Sequence, residues 1–385
     1  MPRAASMRVE VKPAMLRWAR ERAAMDAESL ARRFPKLAEW ESEEVKPTLK
    51  QLEDFARATH APIGFLFLSE PPVEKIPIPD FRTVENKRVG HPSPDLLETI
   101  YLCQQRQEWY RDFSRSLREA PLAFVGSATL ESDVVATAAE IRHALHFDVE
   151  ERRQCPTWTE ALRRFIELTD ALGVLVMVNG VVGSNNYRKL DSEEFRGFAL
   201  SDRLAPLIFV NGSDTKSAQM FTLAHELAHL WLDQSALSDI EPVSTSNQKV
   251  EDWCNRVAAE LLVPLPIFRE ELHAGEDLRT ALARLARRFK VSTLVILRRM
   301  YDAGALTREQ LWDAYKAELE FLRNIQKGSG GDFYLTLGAR VGKRFARALV
   351  VSTLEGQTLH RDAFRLLGFS KLSTFRELAH SLGVT

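Results

Sequence analysis

Three residues of one short stretch, His225, Glu226 and His229, combine types and spacing that can do chemistry. They lie in His225-Glu226-Leu227-Ala228-His229, within a segment whose Phe221, Leu223, Ala224, Leu227, Ala228 and Leu232 predict a helix. Residues four apart on a helix share a face, so both imidazoles can reach one metal ion at about 2.0–2.1 Å. Glu226 is turned by about 100° around the same helix, which keeps it off the ion but beside a water there, where a general base must stand. A catalytic zinc needs a third protein ligand and an open position, and that ligand should come from another element. Glu251 fits: it opens the predicted helix Glu251-Asp252-Trp253-Cys254-Asn255, and Asn255, one turn on, can accept a hydrogen bond from a ligating imidazole. The plain alternative is a buried helix with two core histidines.

The chemistry of such a site is peptide hydrolysis. Zn2+ polarises the carbonyl and acidifies water, while Glu226 takes the proton and delivers it to the leaving amine. An extended substrate is expected to add as a strand to a sheet edge, and residues 195–201, before the metal helix, are the expected edge. Asn185, Asn186 and Tyr187 are read as a loop from which Tyr187 could stabilise an oxyanion, an ordinary turn tyrosine being the alternative. His143 and His146 have no acidic partner at ligand spacing and are read as ordinary histidines.

Positioning this site requires elements on both sides of it. DALGVLVMVNGVV, FRGFALSD and APLIFVNG read as strands, followed by the metal helix, a polar loop and the helix KVEDWCNRVAAELLVP, stopped at Pro264. Residues 94–120, 132–170 and 277–323 are helical by periodicity. The expected class is α+β, in four parts. A helical module spans 1–70 and a proline-rich extended linker 71–93. The domain holding the metal site spans 94–326, with a helical part from 277, and a small α/β tail spans 327–385 after the glycine-serine hinge Lys327–Gly331.

Composition sets the surroundings. Apolar residues at 45% and charged residues at 27% are those of a packed globular protein. Lys plus Arg, 52, balances Asp plus Glu, 53, so binding to nucleic acid must come from a local patch. With no membrane-length apolar run and no signal-peptide core, a cytoplasmic protein is expected. Three scattered cysteines suggest neither a disulfide framework nor a thiolate site.

FTLAHELAHLWL, FRGFALSDRLAPLIFVN and VEDWCNRVAAELLVP together resemble the ImmA/IrrE family of zinc metallopeptidases over about residues 160–305. The resemblance implies a zincin-like domain with His225, His229 and Glu251 on zinc and Glu226 as catalyst, in proteins that cleave repressors or antitoxins. Trp253 departs from the acidic or small residue of many relatives, at a position the metal does not need. Residues 14–68 resemble Xre-type helix-turn-helix modules, which implies DNA binding and a homodimer. Here Leu30 and Trp40 are only ten steps apart, about a turn short in the recognition helix, and Glu39, Glu41, Glu43 and Glu44 would repel phosphate, so a structural or partner-binding role stays open. A second DNA candidate is ALARLARRFKVSTLVILRRMYDAG, where Arg284, Arg287, Arg288, Lys290, Arg298 and Arg299 could meet phosphates or simply face solvent. An Xre-like module joined to this peptidase also resembles proteins encoded beside toxins such as PIN-type ribonucleases. That leaves two functions: a peptidase acting on a regulatory protein, or an antitoxin or transcriptional regulator that holds a partner, which the tail after Gly331 could contact, with little proteolysis.

Overall fold

The computed structural model describes residues 7–81, 92–238, 249–323 and 340–384. These cluster into two units, 7–77 with 92–98, and 78–81 with 99–384. In the first unit lie α1 (Pro13–Arg22), α2 (Ala27–Arg33), α3 (Leu37–Glu41), α4 (Leu49–Ala58) and a 3-10 turn, Ile63–Phe67. Asp26 caps α2, and Thr48 with Gln51 forms a reciprocal capping box on α4, satisfying amides that have no partner inside the helix. Leu16, Leu30, Phe34, Trp40, Leu52 and Phe55 meet in its core. The element at the place of a recognition helix, α3, is only five residues long, and its Leu37 and Trp40 are buried.

The second unit is built on strands β1 (Leu175–Asn179), β2 (Val181–Val182), β3 (Asn185–Lys189), β4 (Gly197–Leu200), β5 (Leu207–Asn211) and β6 (Ala236–Ser238). Four of them form a sheet ordered β1-β5-β4-β6, with β1 parallel to β5 and the other pairs antiparallel, while β2 and β3 make a separate hairpin. The expected substrate edge is thereby corrected: β4 is an interior strand, paired on both sides, and the strand beyond it, β6, lies where the sequence predicts a polar loop. Three residues are too few to show a period of two.

Helix α9 (Lys216–Trp231), capped by Thr215, carries the histidines, and every residue from Gln219 to Trp231 is buried. It packs on β4, on β5, on α8 (Trp158–Ala171) and on α10 (Lys249–Leu262), and α10 in turn packs on α6 (Val134–Leu145). A helix enclosed on all sides needs apolar residues all round, as its sequence has. Strand alternation fits the same plan. Val176, Ala199, Ile208 and Val210 join the core around α9, while Phe198 and Phe209 stack together and Met177 meets Cys103 and Arg106 of α5 (Pro94–Ser116) on the other face. From α5, Gln107 donates to the carbonyls of Leu200 and Ala205.

Beyond the site run α7 (Val149–Gln154), α11 (Leu265–Glu270), α12 (Leu278–Phe289), α13 (Thr293–Asp302) and α14 (Arg308–Arg323). The described part of the tail is α15 (Lys343–Leu354), α16 (His360–Leu367) and α17 (Leu372–Ser381), so it is helical where an α/β tail was expected. It also belongs to the same unit as the sheet. Gly342, at φ +79, enters α15 so close to β1 that a Cβ would stand 2.8 Å from the carbonyl oxygen of Val176. The hinge Lys327–Gly331 and the start of GDFYLTLGAR lie outside the described residues. Among those described, no helix is long and apolar enough to cross a membrane.

Candidate metal centre

Helices α9 and α10 bring His225, His229 and Glu251 together. His225 Nε2 is 3.2 Å from Glu251 Oε2, His229 Nε2 is 3.0 Å from Glu251 Oε1, and the two Nε2 atoms are 3.1 Å apart. A tetrahedral ion with bonds of about 2.0 Å separates its ligand atoms by about 3.3 Å, so the triangle has the size that a divalent metal requires. Among the described residues no other group of His, Cys, Asp and Glu converges in this way, and His143 and His146 stay outside it.

The electrostatics agree. The two histidines and Glu226 are 0% exposed and Glu251 is 4% exposed. Burial pushes the Glu251 carboxyl up, but the adjacent imidazoles outweigh it and hold the group below the usual carboxylate range. Burial lowers the His229 pKa against the pull of Glu251, favouring the neutral imidazole that can ligate. Glu226 is raised well above the ordinary range, first by burial and then by the Glu251 charge, with the Ser238 hydroxyl opposing. Neither Glu226 oxygen makes a hydrogen bond of normal geometry. A buried carboxylate with no such partner, beside three converging donors, fits a site that holds a cation and a water.

Asn255 does what its spacing suggests. Its Oδ1 lies 3.0 Å from His225 Nδ1; an amide oxygen only accepts, so that nitrogen carries the proton and Nε2 keeps its lone pair for the metal.

Residues 169–301 match the family described as IrrE N-terminal-like domain, Peptidase_M78, a span that contains all four site residues and Asn255. The match supports the ImmA/IrrE metallopeptidase family. Two proteins titled radiation response metalloprotease IrrE are similar. The one from Deinococcus radiodurans is 38% identical over 91 residues, and the one from Deinococcus deserti 37% over 162. These alignments cover 22% and 38% of this chain, and the chain spans only 28% and 58% of those relatives. Residues 341–381 match a domain of unknown function, DUF8813.

Two further residues border the cluster without a motif to mark them. Gly197 of β4 faces α9 at Glu226, and Ser238, its partner on β6, places Oγ 3.5 Å from His229 Nε2. Along β4 the small residues Gly197 and Ala199 face α9 while Phe198 faces away, so alternating size was the available signal.

The remaining candidates stand elsewhere. Tyr187 is on strand β3, not in a loop, and is 98% exposed, outside the buried cluster. Most of the basic group is engaged within the fold. Arg284 pairs with Glu276 and Glu271, Arg288 with Glu271 and Glu150, Arg298 with Asp302, and Arg299 with Glu260 and Asp302. Lys290 is buried over the Trp158 ring, and Arg287 alone of the six is exposed. The basic patch read from sequence is thus largely neutralised, by acids as near as Asp302 and as far along the chain as Glu150.

Proposed function

We propose that the ImmA/IrrE-type domain is a zinc-dependent endopeptidase that cleaves a regulatory protein, a repressor or a member of a toxin-antitoxin pair, in the cytoplasm. The observation that carries this reading is the triangle of ligand atoms with the buried Glu226 carboxylate beside it. Two imidazoles and one carboxylate, buried and closely spaced, are a donor set that suits Zn2+. When bound, the ion would polarise the scissile carbonyl and acidify the attacking water. Glu226, with its raised proton affinity, takes that water's proton and passes it to the leaving amine. Asn255 keeps His225 in the ligating tautomer, and the free thiols of Cys103, Cys155 and Cys254 are in keeping with a reducing compartment.

The test compares wild-type protein with Glu226→Gln, each assayed for metal content and incubated with the products of neighbouring genes. One zinc per chain in both, with a neighbour cut only by the wild type, is the expected result. A stable uncut complex would sink the peptidase reading and favour the second, an antitoxin or regulator that holds a toxin or DNA. The near-complete burial of the ligands is the observation on that side.

A further inference from the structure

The outer edge of β6 is occupied by the chain itself. Pro79 O accepts a hydrogen bond of 2.9 Å from Leu237 N, and Phe81 N donates one of 3.0 Å to Leu237 O, a parallel bridge centred on Asp80. Ile78 is buried beside it. The Phe81 ring runs parallel to the imidazole of His229, with centroids 6.1 Å apart and planes 7° from parallel. Proline-rich sequence suits this placement: Pro77 and Pro79 fix their own φ and bias the residues before them toward extended backbone, so little entropy remains to be lost on docking. What the sequence reading took for the end of a linker is, at 78–81, a short strap on the sheet.

A sheet edge beside a catalytic centre is where an extended peptide adds, through main-chain hydrogen bonds to alternate residues. Here β6 is that edge. Ser238, next to Leu237, is within 3.5 Å of His229, and the groups that a substrate strand would use, Leu237 N and O, are already paired. We propose that residues 78–81 are an internal occupant of the substrate edge, holding the site closed until an extended segment displaces them. The inference rests on the peptidase reading and deepens it. The strap runs parallel to β6, spends the Pro79 carbonyl on Leu237 and presents a ring to His229, so it blocks the edge without offering a bond to cleave. The displacing segment must present a carbonyl and an amide two residues apart, and an aromatic or large apolar side chain in the place of Phe81.

The experiment uses the full chain loaded with zinc, as wild type, Phe81→Ala and Pro79→Gly. The second variant keeps the strap's hydrogen-bonding groups and the Phe81 ring but loosens its backbone at an exposed position. Three rates are read: zinc loss to a chromogenic chelator, hydrogen exchange at the Leu237 amide, and cleavage of unfolded casein. Loss of the stacked ring is expected to raise zinc loss and Leu237 exchange by about tenfold in Phe81→Ala, with cleavage rising in parallel. Pro79→Gly moves all three the same way by a smaller factor. A peptide of residues 75–81, added in excess, restores slow exchange and suppresses cleavage in Phe81→Ala. Unchanged zinc loss and exchange in both variants would overturn the strap whatever the cleavage. Faster exchange and zinc loss with no cleavage in any form would instead leave the strap as a cover and remove the peptidase.

Discussion

Gly197 of β4 lies directly against Glu226 of α9. A Cβ at Gly197 would stand 3.3 Å from Glu226 Oε1, 2.8 Å from the backbone oxygen of Phe209 and 2.5 Å from Thr222 Cγ2. The sheet therefore reaches Glu226 only because this residue has no side chain. In Gly197→Ala the strand must move away, at a cost of about 1–3 kcal/mol. Thermal unfolding and hydrolysis measured together check this; wild-type values of both would show that the close approach does not matter.

The Asn255 amide fixes the His225 ring from outside the ligand set. Asn255→Ala should fold and weaken zinc affinity by roughly 10–100-fold. Competition against a chelator of known affinity reads this directly, and an unaltered constant would remove Asn255 from the site.

Glu226→Gln should keep its metal, since the side chain is not one of the three converging ligands. Hydrolysis should fall by about 10²–10⁴-fold, the usual contribution of a positioned acid-base group. Because burial penalises the carboxylate, the metal-free variant should melt no lower than metal-free wild type at pH 8. A clearly lower melting temperature would mean that Glu226 holds a stabilising contact.

Asp170, near the end of α8, accepts a hydrogen bond from the Arg344 amide at the start of α15 and is pushed up to about 6 by burial. With the folded pKa above the unfolded value, the folded state holds the extra proton. Its effect is fully favourable below about 4 and is lost as pH rises through 6, amounting to roughly 3 kcal/mol. Asp170→Asn should therefore flatten the stability profile between pH 4 and 6 and raise stability at pH 8. An unchanged slope in denaturant titrations across that range would refute the assignment.

Arg299 and Arg287 belong to one basic stretch but differ in burial. Arg299 is 5% exposed and paired with Glu260, itself 4% exposed, so Arg299→Ala leaves a buried charge unmatched and should cost about 3–5 kcal/mol. Arg287→Ala, on the surface, should stay within about 0.5 kcal/mol of wild type. Equal effects in urea unfolding would contradict the buried pair.

What the sequence by itself determined was which residues share a helix face and the local scaffold that carries them. Helical spacing puts His225 and His229 on one face with Glu226 turned aside, Glu251 and Asn255 share a second helix, and LVMVN, GFAL and LIFVN carry the apolar residues of strands. These follow from periods of 3.6 and 2, which act over a few residues. Only the tertiary structure decided what depends on residues far apart in the chain: that β6 completes the sheet and brings Ser238 to the site, and that Gly197 must be bare beside Glu226. It also decided that Glu150 meets Arg288 and Glu260 meets Arg299, and that residues 78–81 lie on β6 with the Phe81 ring parallel to that of His229. None of these has a local signature, because each is set by which surfaces meet once the core has packed.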